Sequence, residues 1–306
     1  MTKASRPPRI LKPDPSIEPL LAFLRDAPTL SIYSPGDARA VMLAAAPMFY
    51  PPQPPGTEER SSIAGVPVRI YRGADANPAR PAPALLYFHG GGWVMGDMDG
   101  FAPICAALAN DAQITVISVD YALAPESPFP AALNQGIAVA DALFADGERH
   151  GVDSRRLAIG GDSAGGNLAA VIAIDRCQRG LDNFAHQLLL YPVTDCRLIA
   201  PSYDECGSGY MLSHADMAWF RSHYLPEGTA YDDWRVSPLL ADSLVGLPAA
   251  HVLTCGLDPL QDDGRAYADA LERAGVDVSR QHYSGMLHGF LSAPMLLHGA
   301  RRGAPL

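Results

Sequence analysis

The sequence predicts an α/β domain, a mostly parallel central sheet flanked by helices. Two observations carry this. Short, continuous apolar runs recur, such as Ala84–Phe88 (ALLYF) and Ile114–Val119 (ITVISV). A strand apolar at every position is buried on both faces, which is the mark of parallel pairing. Between these runs lie stretches with helical spacing, and strand–helix alternation of this kind covers both faces of one sheet. The chain has 306 residues, with 48% apolar and 18% charged, a globular composition. A domain of this size buries roughly three quarters of its unfolded surface, enough to enclose a dry active site.

The elements follow in order. Residues 15–26 and 36–49 have mixed helical character, limited by Pro28, Pro35 and Pro47. Pro51-Pro52-Gln53-Pro54-Pro55-Gly56 can be neither helix nor central strand, so it separates an N-terminal region, 1–55, from the remainder, 56–306. Val66–Tyr71 alternates as a strand. Ala84–Phe88, Ile114–Val119, Leu157–Ile159, Leu188–Tyr191 and His251–Cys255 are buried strands. A helix over 131–146 places Ile137, Ala140 and Phe144 on one face, with Gly151 beyond its end. A second, over 263–274, carries Ala266, Tyr267, Ala270, Leu271 and Ala274 as its stripe and stops at Gly275. Val278–Tyr283 alternates, as a strand towards the sheet edge does. Residues 195–240 break the rhythm, with polar turns, a helix near 213–224 and no clear strand. This reads as an insertion near the carboxyl ends of the strands, where insertions cover sites.

The formal net charge of −10 gives no basic footprint for nucleic acid and disfavours anionic substrates and membrane surfaces. The five cysteines, Cys105, Cys177, Cys196, Cys206 and Cys255, are odd in number and widely spaced with no C-x-x-C, which excludes a structural zinc site and suits free thiols in a reducing compartment. The first residues, MTKASRPPRILKPDPS, are basic without the apolar core of a signal peptide. No stretch approaches the roughly 20 apolar residues of a membrane span. The cytoplasm is the expected location, with no stable membrane association.

The chemistry centres on Gly161-Asp162-Ser163-Ala164-Gly165, a G-x-S-x-G with the strand Leu157–Ile159 before it and a helix-compatible run after it. In that context the sharp turn projects the Ser163 hydroxyl from the sheet as a nucleophile. A plain Gly-rich strand–helix turn is the alternative for this motif alone. Directly after ALLYF comes His89-Gly90-Gly91-Gly92-Trp93, 72 positions ahead of Gly161. Consecutive glycines expose backbone N–H groups that form an oxyanion hole when aimed at a carbonyl oxygen, and the Ala164 amide adds a donor at a helix start. A phosphate loop is excluded, because no G-x-x-x-x-G-K-[ST] occurs.

Ser163 needs a base and the base an orienting acid, in the chain order Ser, Asp or Glu, His. His186 and His251 begin strands, His214 and His223 lie in the insertion, His282 is inside a strand and His298 is near the end. His288 remains, on a loop after the last strand between Gly285 and Gly289. Asp258 follows the strand His251–Cys255. Asp262 and Asp263 are rivals better suited to the first turn of the next helix, and Asp195 comes one strand too early.

The chain resembles the bacterial hormone-sensitive-lipase-like esterases, a family of the α/β-hydrolase fold. The resemblance rests on HGGGW at 89–93, DYALAPESPFPAA at 120–132, GDSAGGN at 161–167, DPLQDDG at 258–264 and HGF at 288–290. The GDSAG form is similar to that of one subgroup. The resemblance implies a triad of Ser163, Asp258 and His288. It implies oxyanion donors from Gly91, Gly92 and Ala164, His89 as a structural loop-former, and a helical cap made of the N-terminal residues and the insertion near 200–225. The chain departs from the family pattern at Ala122, where the family has Arg, at Ser127, where it has His, and in DPLQDDG, where it has DPLRDEG.

The expected function is hydrolysis of short-to-medium-chain acyl esters through an acyl-enzyme. A ligand receptor on the same fold is the alternative from another class. The family's plant hormone receptors lack the catalytic histidine, whereas His288 is present here. An amidase and an interfacial lipase are further alternatives, and the 8% aromatic content speaks against the lipase. The expected partner is a small-molecule ester, with no cofactor, metal or nucleic acid. The sequence leaves open a homodimer through the strand near 278–283.

Overall fold

The protein is described from a computed structural model that covers residues 11–24, 28–49, 57–74 and 80–292; the proline cluster at 51–56 and His298 lie outside them. In chain order the elements are α1 (Glu18–Leu24), α2 (Pro35–Phe49), β1 (Thr57–Ile63), β2 (Val66–Arg72), β3 (Ala82–Phe88), α3 (Ala102–Ala112), β4 (Thr115–Val119), α4 (Ala131–Asp146), β5 (Val152–Asp162), α5 (Ala164–Gln178), β6 (Gln187–Leu190), α6 (Ser202–Glu205), α7 (His214–Tyr224), β7 (Ala250–Leu257), α8 (Gln261–Arg273) and β8 (Val278–Leu287).

The strands form one eight-stranded sheet in the order β1-β2-β4-β3-β5-β6-β7-β8. β1–β2 and β2–β4 pair antiparallel, and every later pair is parallel. β3 shows why its run is apolar throughout. Ala84, Leu86 and Phe88 enter one core with residues of α4, α5 and α8. Leu85 and Tyr87 enter a second core with residues of α3 and with Leu20 of α1. A strand with helices against both faces has no solvent side and hence no polar alternation. The expected edge strand, β8, is at the sheet edge.

Among the elements that left no signal in the sequence are β1 and α3. β1 reads TEERSSI and pairs with β2 alone, so its exposed side chains are polar as an edge strand's are. The turn to β2 runs through Ala64 (φ 51°) and Gly65 (φ 78°), a pair of left-handed residues of the kind that closes two-residue hairpins. α3 follows the HGGGW loop and ends on the left-handed Gln113. The face of α4 differs from expectation. Leu133, Gly136, Ala140 and Leu143 are buried, while Ile137 and Phe144 are half-buried at its margin. The buried side turned about one residue because Gly136 lets Ile172 and Phe88 approach closely.

Residues 195–240 contain α6 and α7 and no strand. They are fastened to the sheet ends by polar contacts. The Ser202 hydroxyl donates to Pro259 O at 2.5 Å, just past β7, and Asn167 Nδ2 in the first turn of α5 donates to Val236 O at 2.9 Å. The N-terminal region meets this insertion where Ser31 N donates to Asp216 Oδ1, near the capping box that starts α7. Among the described residues, no helix is long and apolar enough to cross a membrane.

Candidate active site

Three strands end at the residues singled out by the sequence. β5 ends at Asp162 and Ser163 follows; β7 ends at Leu257 and Asp258 follows; β8 ends at Leu287 and His288 follows. All three strands run parallel, so their carboxyl ends open on one side of the sheet.

Ser163 sits at φ 56° and ψ −117°, an arrangement few non-glycine residues adopt, between the end of β5 and the first residue of α5. Three backbone hydrogen bonds hold it there. Its N–H donates to Leu190 O at 2.9 Å, and its carbonyl accepts from Asn167 N and Val193 N. The turn requires glycine behind it, since a Cβ on Gly165 would lie 1.9 Å from Phe88 O. The sharpness of the elbow thus comes from backbone packed on backbone between β3 and α5.

His288 Nδ1 lies 2.8 Å from Asp258 Oδ2, and His288 Nε2 lies 2.9 Å from Ser163 Oγ. A carboxylate only accepts, so Nδ1 carries the hydrogen and Nε2 is left to accept from the serine hydroxyl. Asp258 is fully buried, and its other oxygen accepts from Leu260 N at 2.8 Å. The imidazole is further fixed by Tyr191, whose ring meets it edge-on at 4.9 Å. Ser163 is 7% and His288 9% exposed, so the pair is nearly dry.

The rival acids are occupied elsewhere. Asp195 is held by Arg197 at 2.7 Å, and Asp262 accepts from Ser202 N. Asp263 accepts from the Thr194 and Asp195 amides and its pKa is pushed well up by burial. Two of the rival histidines are engaged in place: His251, second in β7, lies 2.8 Å from Ser279 Oγ, and His282 within β8 lies 3.0 Å from Thr254 Oγ1.

The HGGGW loop runs alongside the serine because β3 is hydrogen-bonded to β5, with Phe88 opposite Gly161. Gly91 (φ 106°), Gly92 (φ 63°) and Trp93 (φ 61°) are left-handed in succession. The run closes as a turn, with Val94 N and Met95 N donating to Gly91 O. A Cβ on Gly92 would lie 2.2 Å from the Phe220 ring of α7, so this glycine is needed for space as well as for its φ. Trp93 stacks on Tyr224 of the same helix at 4.3 Å. Ala164 is the first residue of α5.

His89 takes no part in the hydrogen-bonded line. It is fully buried between Tyr121 and Phe101, its Nδ1 is 2.7 Å from Gly90 O, and burial pushes its pKa down to about 4. It is a neutral packing residue of the loop.

Asp162 was passed over in the sequence because it occupies the variable position of G-x-S-x-G. It is 3% exposed, and one oxygen accepts from both the Tyr87 hydroxyl (2.8 Å) and Gly90 N (2.9 Å). It ties the serine turn to the glycine loop. Its pKa is raised to about 6 by burial, against the opposing pull of Tyr87, His288 and the Gly90 amide. An acid beside Ser163 in a buried turn is the signal that marks it. The cysteines are scattered and form no disulfide among the described residues, four of them are buried, and burial pushes Cys105 and Cys196 up to about 12. Among the described residues no cluster of His, Cys, Asp and Glu has metal-binding geometry.

Comparison with known proteins bears on this geometry. The profile of the alpha/beta hydrolase fold family matches residues 85–292. The carboxylic ester hydrolase LipN of Mycobacterium tuberculosis is 39% identical over 252 residues, covering 78% of this chain; the chain spans 64% of that relative's length. The carboxylesterase NlhH of the same organism is 34% identical over 306 residues, covering 96% of this chain and 94% of its own. The structure of an ester hydrolase from the Lake Arreo metagenome, complexed with a bipyridine phosphonate derivative, superposes with a TM-score of 0.87 at 38% identity and covers 94% of each chain. The chain belongs to the α/β-hydrolase fold family, on its hormone-sensitive-lipase-like esterase branch.

Proposed function

We propose that the protein hydrolyses short-to-medium-chain carboxylic esters through a Ser163–His288–Asp258 triad and an acyl-enzyme. The observation that supports this is the continuous line from Ser163 Oγ through His288 to buried Asp258, with links of 2.9 and 2.8 Å. His288 Nε2 removes the serine proton as Oγ attacks the ester carbonyl. The carbonyl oxygen becomes an oxyanion and receives hydrogen bonds from the Gly91, Gly92 and Ala164 amides. Asp258 keeps the imidazole in the accepting tautomer and stabilises the imidazolium. His288 then protonates the departing alcohol. Water, deprotonated by the same nitrogen, adds to the acyl-enzyme, and the acid leaves as Oγ recovers its proton.

The short-chain preference is supported by the crowding of the site, where Phe220 presses on Gly92 and Tyr191 on His288. The test is a rapid-mixing assay with p-nitrophenyl esters of increasing chain length, run beside an N-formyl amide. A stoichiometric burst that is largest on short acyl chains is the expected outcome. Turnover of the amide ahead of the ester, or a rise towards long chains, would refute the ester preference, and no release at all would leave a binding protein.

A further inference from the structure

Apart from the proposed triad and the glycine loop, one charged side chain reaches into the site's support from the N-terminal region. Arg39, on α2, spreads its guanidinium over two loops at once. Nε donates to Val94 O at 2.7 Å and Nη2 to Ala124 O at 2.7 Å. The outer edge of the fork meets both oxygens of Glu126, at 2.8 and 2.7 Å.

The place of these contacts matters. Val94 is the far end of the turn that begins at Gly91, since Val94 N and Met95 N both donate to Gly91 O. The turn is bonded to the second loop by Ala124 N donating to Trp93 O at 2.9 Å. Arg39 therefore clasps from outside the same two loops that are joined from inside. Its planar fork has one orientation in which Nε and Nη2 point at both carbonyls, and Glu126 fixes that orientation. An exposed ion pair contributes little to stability alone, and Glu126 is 63% exposed. Its consequence is geometric: it aims a cation that sets where Val94 O lies, and with it the turn carrying Gly91 and Gly92. The N-terminal region also touches the other side of the site, where Asp14 N donates to Gly285 O at 3.0 Å, shortly before His288.

We propose that Arg39 is a positioning residue for the oxyanion loop, so that the seating of α2 sets the rate of turnover and not merely which ester fits. This rests on the reading of Gly91 and Gly92 as oxyanion donors. The role is distinct from covering the substrate. A cover acts through KM and on bulky esters, whereas a support of the oxyanion donors acts on kcat and on the smallest ester alike.

The test measures kcat and KM for p-nitrophenyl acetate in Arg39→Ala, Glu126→Gln and the double variant, with thermal melts to establish that each is folded. Arg39→Ala is expected to lose about tenfold in kcat, with KM changed less than about twofold, because donors displaced by a fraction of an ångström stabilise the oxyanion less. Glu126→Gln is expected to lose less, in the same parameter, and to add no loss in the Arg39→Ala background. Ethylguanidinium added to Arg39→Ala is expected to restore part of kcat. Unchanged kcat in folded Arg39→Ala, a loss confined to KM, or additive losses in the double variant would overturn the proposal. If Arg39→Ala does not fold, Glu126→Gln decides alone: lowered kcat at constant KM supports the role and unchanged kcat overturns it. Ser163→Ala run in parallel separates the two readings. Activity surviving in Ser163→Ala defeats the triad reading, whereas an inactive Ser163→Ala beside a fully active Arg39→Ala defeats this inference alone.

Discussion

The two sides of the site are held by different means. Ser163, Asp258 and His288 each follow the last residue of a parallel strand, so sheet register alone brings them within reach of one another. The glycine loop follows β3 but is held in shape from elsewhere: Asp162 of the serine turn grips Gly90, Phe220 and Tyr224 of α7 press on Gly92 and Trp93, and Arg39 of α2 grips Val94. A site resting on strand ends is rigid because moving it means shearing the sheet. A loop resting on side chains from three distant segments is adjustable, and loss of one support leaves the others. Changes at the strand-end residues are therefore expected to be abrupt, and changes around the loop graded.

The largest effect expected is from Ser163→Ala, roughly a million-fold in kcat with the fold intact, as acyl transfer without the proposed nucleophile retains little beyond binding. Stopped-flow acylation and circular dichroism on one sample check both halves. Asp258→Asn follows at roughly ten-thousand-fold, because an amide that turns its NH2 towards Nδ1 favours the wrong imidazole tautomer. If Asp258→Asn were mild and a change at Asp195 severe, the assignment of the acid would pass to the other loop.

On the adjustable side, Gly92→Ala is expected to lower kcat about a hundredfold and also to destabilise the protein by about 1–3 kcal/mol, since the new Cβ meets the Phe220 ring and strains a left-handed backbone. Adding Phe220→Ala removes the steric clash and should return part of the stability, read by chemical denaturation. Recovery of full activity as well would mean that φ at this position is unimportant.

The smallest effect concerns Asp162 and pH. Burial raises its pKa from 3.8 to about 6, so the folded protein holds this proton more tightly than the unfolded chain does. Its contribution is complete at low pH and is lost as pH rises through about 4 to 6. Asp162→Asn keeps an oxygen to accept from Tyr87 and Gly90 and never ionises. Its melting temperature should exceed the parent's at about pH 8 and converge on it near pH 4. A constant difference across that range would assign the effect to packing and sharpen the view of Asp162 as a plain tie between serine turn and loop.

Much of this was legible in the chain. ALLYF, ITVISV and HVLTC show as strands because burial on both faces keeps them mostly apolar, and Ser163, Asp258 and His288 show because each sits in a short, glycine-flanked loop after a strand. β1 was illegible for the opposite reason, as an edge strand has no apolar demand to meet. Ile137 and Phe144 were placed on the buried face of α4 by spacing, but Gly136 let the sheet side settle nearer Leu133, Ala140 and Leu143. Arg39 and Phe220 gave no sign, because their partners lie 55 positions away in the first case and at Gly92 in the second.

The sequence by itself determined the buried strands and most of the helices between them, the G-x-S-x-G turn, the glycine loop and the loops that start at Asp258 and His288, since each depends on backbone geometry and burial expressed within a few residues. The tertiary structure decided which strands neighbour one another, that β3 brings the glycines beside Ser163, and which distant side chains keep that loop in shape. Those outcomes depend on the packing of segments far apart in the chain, where a residue's meaning comes from what it touches and not from what adjoins it.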